Sequence, residues 1–233
     1  MLSALLFGLA ASSALVVGGV AGAVWRPPRL LVAVALAFAS GALITALAFD
    51  LVEESFETGG VWSSGVGLLA GAAAFVGVDE LLDRYIEGAG SGVSGFAILA
   101  AVTLDGVPEN AALGVSLLQG GGSLTLLVAI FFSNLPESLG GAVGMRDQGR
   151  SKGFVILLWT LTAVLLAASV VAGNVVLSGA SEGLLAFLLA FAGGAVLASL
   201  ADTIMPDAYR EGGGWTAFAT TAGFFLSFMI DKS

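Results

Sequence analysis

Two short runs, Asp105-Gly106-Val107-Pro108-Glu109 and Ser133-Asn134-Leu135-Pro136-Glu137, decide how the chain is read. Each sets a polar residue four positions ahead of the glutamate of a Pro-Glu pair, inside otherwise apolar sequence. A helix carries residues i and i+4 on one face, so Asp105 is expected over Glu109 and Ser133 over Glu137. Proline lacks an N–H and its ring crowds the carbonyl four residues back, so Pro108 frees the carbonyl of Leu104 and Pro136 that of Phe132. Carboxylate, hydroxyl and free carbonyl oxygens on neighbouring helices are oxygen chemistry for a cation.

The sequence around these runs places them in a membrane. The chain has 233 residues, 58% hydrophobic and 11% charged, with a mean hydropathy of +1.01. One soluble core cannot bury so much apolar surface, and an all-α, polytopic membrane protein is expected. About 20 apolar residues cross a bilayer core as a helix, and Gly, Pro and charge clusters punctuate the chain at that interval. Eight spans follow, at about 2–24, 29–50, 62–82, 94–118, 123–144, 153–175, 183–206 and 215–231. The first lacks a basic leading segment and runs into Arg26-Pro27-Pro28, so it reads as a span and not as a signal peptide. The connections are short, and residues 1–233 are expected to form a single transmembrane domain.

The residue inventory excludes several chemistries. With no cysteine and no histidine, disulfides, thiolate zinc sites, haem ligation through His and His-dependent triads are all ruled out. An intramembrane aspartyl protease needs two catalytic Asp in motifs such as Gly-x-Gly-Asp, which the chain lacks, so no enzyme and no resident cofactor are expected. The formal charge of −9 argues against a nucleic-acid partner and reads either as the mark of a salt-rich habitat or as an attraction for cations at the surface, with the lipid bilayer as the surroundings of the spans. Gly-rich runs such as Gly65-Val66-Gly67 and Gly193-Gly194-Ala195 read as close helix packing, with no phosphate-binding loop implied.

Basic residues set an expected orientation. Arg26 and Arg29 fall in the first connection, Arg84 in the third, Arg146, Arg150 and Lys152 in the fifth and Arg210 in the seventh, while Lys232 alone lies on the other side. The positive-inside rule then puts the odd connections in the cytoplasm and both termini outside, in the cell membrane. The tight turn Gln119-Gly120-Gly121-Gly122 makes the fourth and fifth spans antiparallel neighbours, with Asp105, Glu109 and Glu137 near the midplane. A carboxylate there costs about 2.5 to 3.5 kcal/mol, so three cost about 8 to 10. No Lys or Arg lies in these spans to pair with them. A bound cation, a proton on each acid, or a water-filled cavity must offset the cost.

A lone acid beside a proline reads as well as a protonated, hydrogen-bonded group, and repetition of the phrase tips the reading toward a cation site. Asp79, Glu80 and Asp83, and likewise Glu53, Glu54 and Glu57, read as solvated rims. Asp50, Asp202 and Asp207 read as mouths of a path.

Eight spans, external termini, Pro-Glu followed by Asn110-Ala111-Ala112-Leu113-Gly114-Val115-Ser116 on the fourth, and Pro-Glu again on the fifth resemble the ZIP family of zinc and iron transporters. The seventh span, with Phe191-Ala192-Gly193-Gly194-Ala195 and Ile204-Met205-Pro206-Asp207-Ala208, is similar to that family's seventh helix. In the family the fourth helix usually reads His-Asn-x-Pro-Glu, and with the fifth it forms a metal site, often binuclear. The resemblance implies a ZIP-like bundle that transports a divalent ion such as zinc, manganese or iron by alternating access within a homodimer. Position by position, it implies Asp105, Glu109 and Glu137 as principal ligands, Ser133 and Asn134 as weaker ones, and Asp202 near a ligand position on the seventh helix. Gly106 stands where the family has a ligating Asn, and Val164 at about the place where many bacterial members carry a bridging Glu. Without imidazole, the site favours harder ions such as manganese or magnesium. A transport-incompetent relative acting as a sensor or interaction partner is the alternative.

Overall fold

The computed structural model describes the backbone of residues 1–89, 94–118 and 124–232, and their side chains except those of 86–89, 94–101 and 105. The expected turn at Gln119–Gly122 lies outside the described residues, as does the side chain of Asp105. Within them the chain is all-helical, with no strand. The helices are α1 (Leu2–Val24), α2 (Arg29–Ala46), α3 (Glu54–Ala89), α4 (Ser94–Ser116), α5 (Leu124–Asp147), α6 (Lys152–Val176), α7 (Glu182–Ser199), α8 (Met205–Gly212) and α9 (Gly214–Asp231). Two π-helical segments, Leu47–Glu53 and Leu200–Ile204, join α2 to α3 and α7 to α8 without a break.

Local chemistry explains the boundaries. Pro27 and Pro28 separate α1 from α2, since neither can donate a helical hydrogen bond. Ser151 and Ser181 cap α6 and α7, their hydroxyls accepting from the N–H of Phe154 at 3.2 Å and of Leu184 at 3.4 Å. Gly60 breaks α3 near its start with φ 69° and ψ −178°, a left-handed conformation that a side chain would strain.

Five stretches among the described residues are long and apolar enough to cross a membrane: Leu2–Val24, Arg29–Tyr85, Leu124–Asp147, Lys152–Val176 and Glu182–Gly212. Eight separate spans are not established by that criterion. The second and third expected spans fall in one continuous helical stretch, because the π-helical segment carries α2 into α3 where a loop was expected at 53–62. Side chains of α4 at 94–101 and 105 lie outside those described, and neither α4 nor α9, the latter diluted by threonines and glycines, is among the five.

Small residues let the helices approach to backbone contact, and these contacts give relative directions. Phe38 and Ala42 of α2 meet Gly223 and Ser227 of α9 in the same order, so the two run parallel. Ser63, Gly67 and Gly71 of α3 meet Gly183, Phe187 and Phe191 around α7, again parallel. Gly18 and Gly22 of α1 run alongside Leu135 and Leu139 of α5, and Gly106 and Gly114 of α4 alongside Leu166 and Val170 of α6. The antiparallel crossings are α1 with α6, where Gly8 meets Ala167 and Gly19 meets Trp159, and α2 with α5, where Phe38 meets Phe132 and Val32 meets Gly140.

Two of these pairs are copies of each other. Leu36-Ala37-Phe38-Ala39-Ser40-Gly41-Ala42 on α2 recurs as Leu189-Ala190-Phe191-Ala192-Gly193-Gly194-Ala195 on α7, and the π-helical segments start at Leu47 and Leu200, with the same spacing. A Cβ added at Gly41 would fall inside the Thr220 carbonyl oxygen of α9, and one at Gly194 inside the Leu68 carbonyl oxygen of α3. In return, Gly223 of α9 abuts the Phe38 carbonyl and Gly71 of α3 abuts the Phe191 carbonyl. The α2–α9 and α7–α3 pairs are therefore equivalent units. α2 begins and α7 ends at one end of the bundle, called here the Arg26 end; the opposite end is called the Asp50 end.

Candidate cation site

α4 and α5 carry Pro108 and Pro136 without interruption, and each buries polar groups around its proline. Glu109 is 5% exposed, Asn110 0%, Ser133 1% and Asn134 2%, which puts four oxygen-bearing side chains in the interior. Their hydrogen bonds orient them. Asn110 donates its Nδ2 to the Gly106 carbonyl at 2.8 Å, which fixes the amide and leaves its buried Oδ1 with no hydrogen-bond partner. Ser133 donates to the Ile130 carbonyl at 3.0 Å, keeping its oxygen lone pairs available. The Asn134 carbonyl accepts from Ser138 at 2.7 Å, while its side-chain Nδ2 is buried with no partner. Buried polar atoms left in this state are costly unless something else satisfies them.

Next to Glu109 the space is closed on one side. A Cβ at Gly106 would stand 2.8 Å from Leu166 Cδ1 of α6, so Leu166, itself fully buried, fills the room that a longer residue at 106 would need. The equivalence drawn for Val164 is corrected by this packing. Val164 is 62% exposed and lies on the outer side of α6, beside Leu5 and Leu9 of α1, whereas the side of α6 that meets α4 presents Leu166.

Glu137 is half-buried and opens into a cavity of about 450 Å³ toward the Arg26 end. Its walls bring in Asp79 and Asp83 from α3, Ser199 from α7, Asp202 and Thr203 from the second π-helical segment, and Asp207 from α8. Asp79 shares a hydrogen bond with Asp202. Asp83 is exposed and Asp79 partly so, as expected of a solvated rim, and this rim borders the cavity: Phe75, Asp79 and Asp83, one turn apart on α3, line it together with Glu137. Asp202 joins this group and not the buried set on α4. The π-helical widening at Leu200–Ile204 leaves Asp202 exposed to the cavity beside Asp207.

Ion pairs surround the entrance at the Arg26 end. Arg26 bridges to Asp147 at 2.9 Å, Arg29 to Glu211 at 3.5 Å, and Arg210 to Asp207 at 2.9 Å. Their side chains are largely exposed, so each is worth at most about 1 kcal/mol. Among the described residues no three acids stand close enough together to hold one metal ion. The site residues expected from sequence thus divide into a buried group, Glu109, Ser133 and Asn134, and a cavity group, Glu137 and Asp202. Sequence reasoning missed Asn110 as an oriented oxygen, and Asp79 and Asp83 as cavity acids. Their i, i+4 spacing was the available signal.

No family model matches the chain. It is 28% identical over 183 residues to a putative zinc transporter of Arabidopsis thaliana, an alignment covering 74% of this chain and 29% of that protein. It is 35% identical over 145 residues to the zinc transporter GufA of Myxococcus xanthus, covering 60% of this chain and 56% of that protein. The chain thus spans less than two thirds of the length of either relative. Both are named for zinc transport, which supports the ZIP-like resemblance.

Proposed function

We propose that the chain is a ZIP-like secondary transporter that carries a divalent metal ion across the cell membrane, with Asp105, Glu109 and Glu137 as principal ligands. Ser133, Asn134 and the Asn110 Oδ1 add neutral oxygens, and Asp202 receives the ion on its way along the cavity. The observation that carries this reading is the position of Glu137, which belongs to the repeated Pro-Glu phrase and opens into a cavity lined by four further acids. A cation leaving the buried oxygens of α4 and α5 would find carboxylates at each step toward the Arg26 end. Leu166 against Gly106 favours one metal at a time beside Glu109, since the room for a second ligand set is filled.

Alternating access would move equivalent helix pairs against the remaining helices, as internal repeats do in other transporters. The parallel and antiparallel contacts support eight crossings in a single domain, in which α1, α5, α7 and most of α3 run one way and α2, α4, α6 and α9 the other. A homodimer accords with the resemblance. The lack of histidine favours a second reading, a transport-incompetent relative that senses or binds a partner. Metal uptake into proteoliposomes decides between them: uptake above empty vesicles supports transport, and binding without uptake supports the sensor.

An all-oxygen site discriminates weakly among hard divalent ions. Manganese should therefore compete with zinc for uptake at similar concentrations, and Asp105→His should shift the preference toward zinc. Tight, selective zinc binding by the unmodified protein would count against ligands of oxygen alone.

The orientation has its own test. Cysteines placed at Gly59 and Gly121 should react with an impermeant reagent from outside, and one at Gln148 should not; no native cysteine competes. Labelling of position 148 from outside would reverse the direction of the path.

A further inference from the structure

Glycine serves two purposes along these helices. Gly18 and Gly22 of α1, Gly41 of α2 and Gly194 of α7 each lie against the backbone of a neighbouring helix, where a Cβ would collide with a carbonyl oxygen. Gly140 and Gly144 of α5 differ. Among the described residues, a Cβ at 140 would meet Val32 Cγ1 of α2 alone, at 3.4 Å, and one at 144 would meet nothing within 4 Å. Close helix packing does not account for the missing side chains at these two positions.

Both glycines border open space instead. Gly140 lines the cavity that Glu137 enters, and it also lines a second cavity of about 320 Å³ nearer the Arg26 end, to which Gly144 contributes as well. Leu36 of α2 and Asp207 of α8 are common to both cavities, so the two meet at a neck formed by Leu36, Gly140 and Asp207. Pro136, Gly140 and Gly144 stand one turn apart on α5 and make a strip of little bulk that leads from the first cavity into the second.

The cavities differ in charge. Among the described residues the first is lined by acids and by no basic side chain, whereas Arg29 and Arg210 line the second. Each acid of the second faces an arginine: Asp207 faces Arg210, Glu211 faces Arg29 and Asp147 faces Arg26. A cation is therefore drawn into the first cavity and finds little to hold it in the second. An ion carrying six waters takes up about 180 Å³ at about 30 Å³ per water, less than either cavity, so size decides at the neck between them.

We infer that the neck at Gly140 is the passage by which a hydrated divalent cation moves between the Glu137 cavity and the Arg26 end, and that the bare backbone at 140 keeps it open. A side chain there would project toward Val32 and narrow the neck without driving one helix backbone into another. The identity of the moving ion rests on the transport reading, while the passage itself stands on the two cavities.

The test uses the full chain in nanodiscs, where no native cysteine interferes. Thr203→Cys puts a thiol in the wall of the first cavity, and its rate of reaction with a trimethylammonium methanethiosulfonate reports entry to that cavity. Adding Gly140→Leu should slow the reaction about tenfold, whereas adding Gly65→Leu, at a position facing open space, should leave it unchanged. Where the leucine variant does not fold, Gly140→Ala is read in its place, since its one added carbon meets a side chain and no backbone, and should slow the reaction about twofold. An unchanged rate in the variant so read would overturn the inference, because the first cavity would then open elsewhere. Manganese(II) uptake into proteoliposomes is measured in parallel with Gly140→Cys: modification of the thiol after reconstitution should stop uptake, and a reducing thiol should restore it. Uptake that persists after complete modification overturns the neck and leaves transport standing. Slowed labelling with no manganese uptake by the unmodified protein keeps the passage and removes the transport reading.

Discussion

Proteoliposomes containing Glu109→Gln should take up no metal above empty vesicles. Glutamine keeps the shape of the side chain and one carbonyl oxygen but removes the charge, at a position only 5% exposed, where water cannot replace it. Depriving a buried charge of its partner costs about 3 to 5 kcal/mol, which is upwards of about a hundredfold in affinity. The variant should still fold, because a neutral amide is cheaper to bury than a carboxylate. The same substitution tests how the empty site is neutralised. Acids clustered in a low-dielectric place cannot all stay ionised, so an arriving divalent ion should displace protons. Calorimetry in two buffers of different ionisation enthalpy, at two pH values, should show proton release on metal binding and weaker binding as pH falls, with fewer protons released in Glu109→Gln and Glu137→Gln. Full uptake by Glu109→Gln would remove this residue from the site. Metal binding with no proton release would mean that the acids are already ionised in a wet cavity.

Gly194→Val should abolish recovery of folded protein, and Gly194→Ala should lower the thermal midpoint sharply. A Cβ at this position would overlap the Leu68 carbonyl oxygen, which belongs to a helix backbone and has no rotamer to change. The α3–α7 pair would have to separate along its length, giving up the small-residue packing that holds helices together in lipid, where no hydrophobic effect drives them to associate. Overpacking a close-fitted core costs about 1 to 3 kcal/mol, and more where backbone must move. The equivalent Gly41→Val should do the same to the α2–α9 pair, by meeting the Thr220 carbonyl. Gly65→Ala is the control, since nothing lies within 4 Å of its added Cβ. Melting curves for Gly194→Ala and Gly65→Ala that coincide would refute close approach as the basis of the pairing.

Much of the helical layout is legible in the sequence because its signals are local. Apolar runs end at Arg26-Pro27-Pro28, and Ser151 and Ser181 precede the runs they cap. The burial of Glu109, Ser133 and Asn134 also follows from apolar neighbours on both sides. What hydropathy cannot convey is a change of helical pitch: Leu47–Glu53 carries two acids, Asp50 and Glu53, and reads as the end of a span, yet it continues as a π-helical path into α3. The cavity is equally hidden, because Asp79 reaches Glu137 only through the fit of α3 onto α7. Without that fit, acids at the end of a span look like any solvated rim. Val164 shows the limit of transferring a position by likeness, since a shift of two residues on a helix turns a side chain through more than half a circle, from Leu166 inside to Val164 outside. The seven-residue repeat on α2 and α7 stands in the sequence, yet its meaning depends on which carbonyls its glycines touch.

The parallel pairing of α2 with α9, and of α3 with α7, also bears on how the molecule is made. Parallel neighbours cannot be consecutive helices joined by a short turn, so each must wait for a partner synthesised much later. Gly41 meets Thr220 only after every intervening helix has entered the bilayer. Until then its bare backbone face is lined by lipid, which satisfies apolar surface but cannot enforce registry. Insertion and docking are therefore separate events in time, and the slower one, the search for distant partners, falls after translation of α9. A nascent chain stalled before α9 would already hold both α3 and α7, with α2 still waiting for its partner.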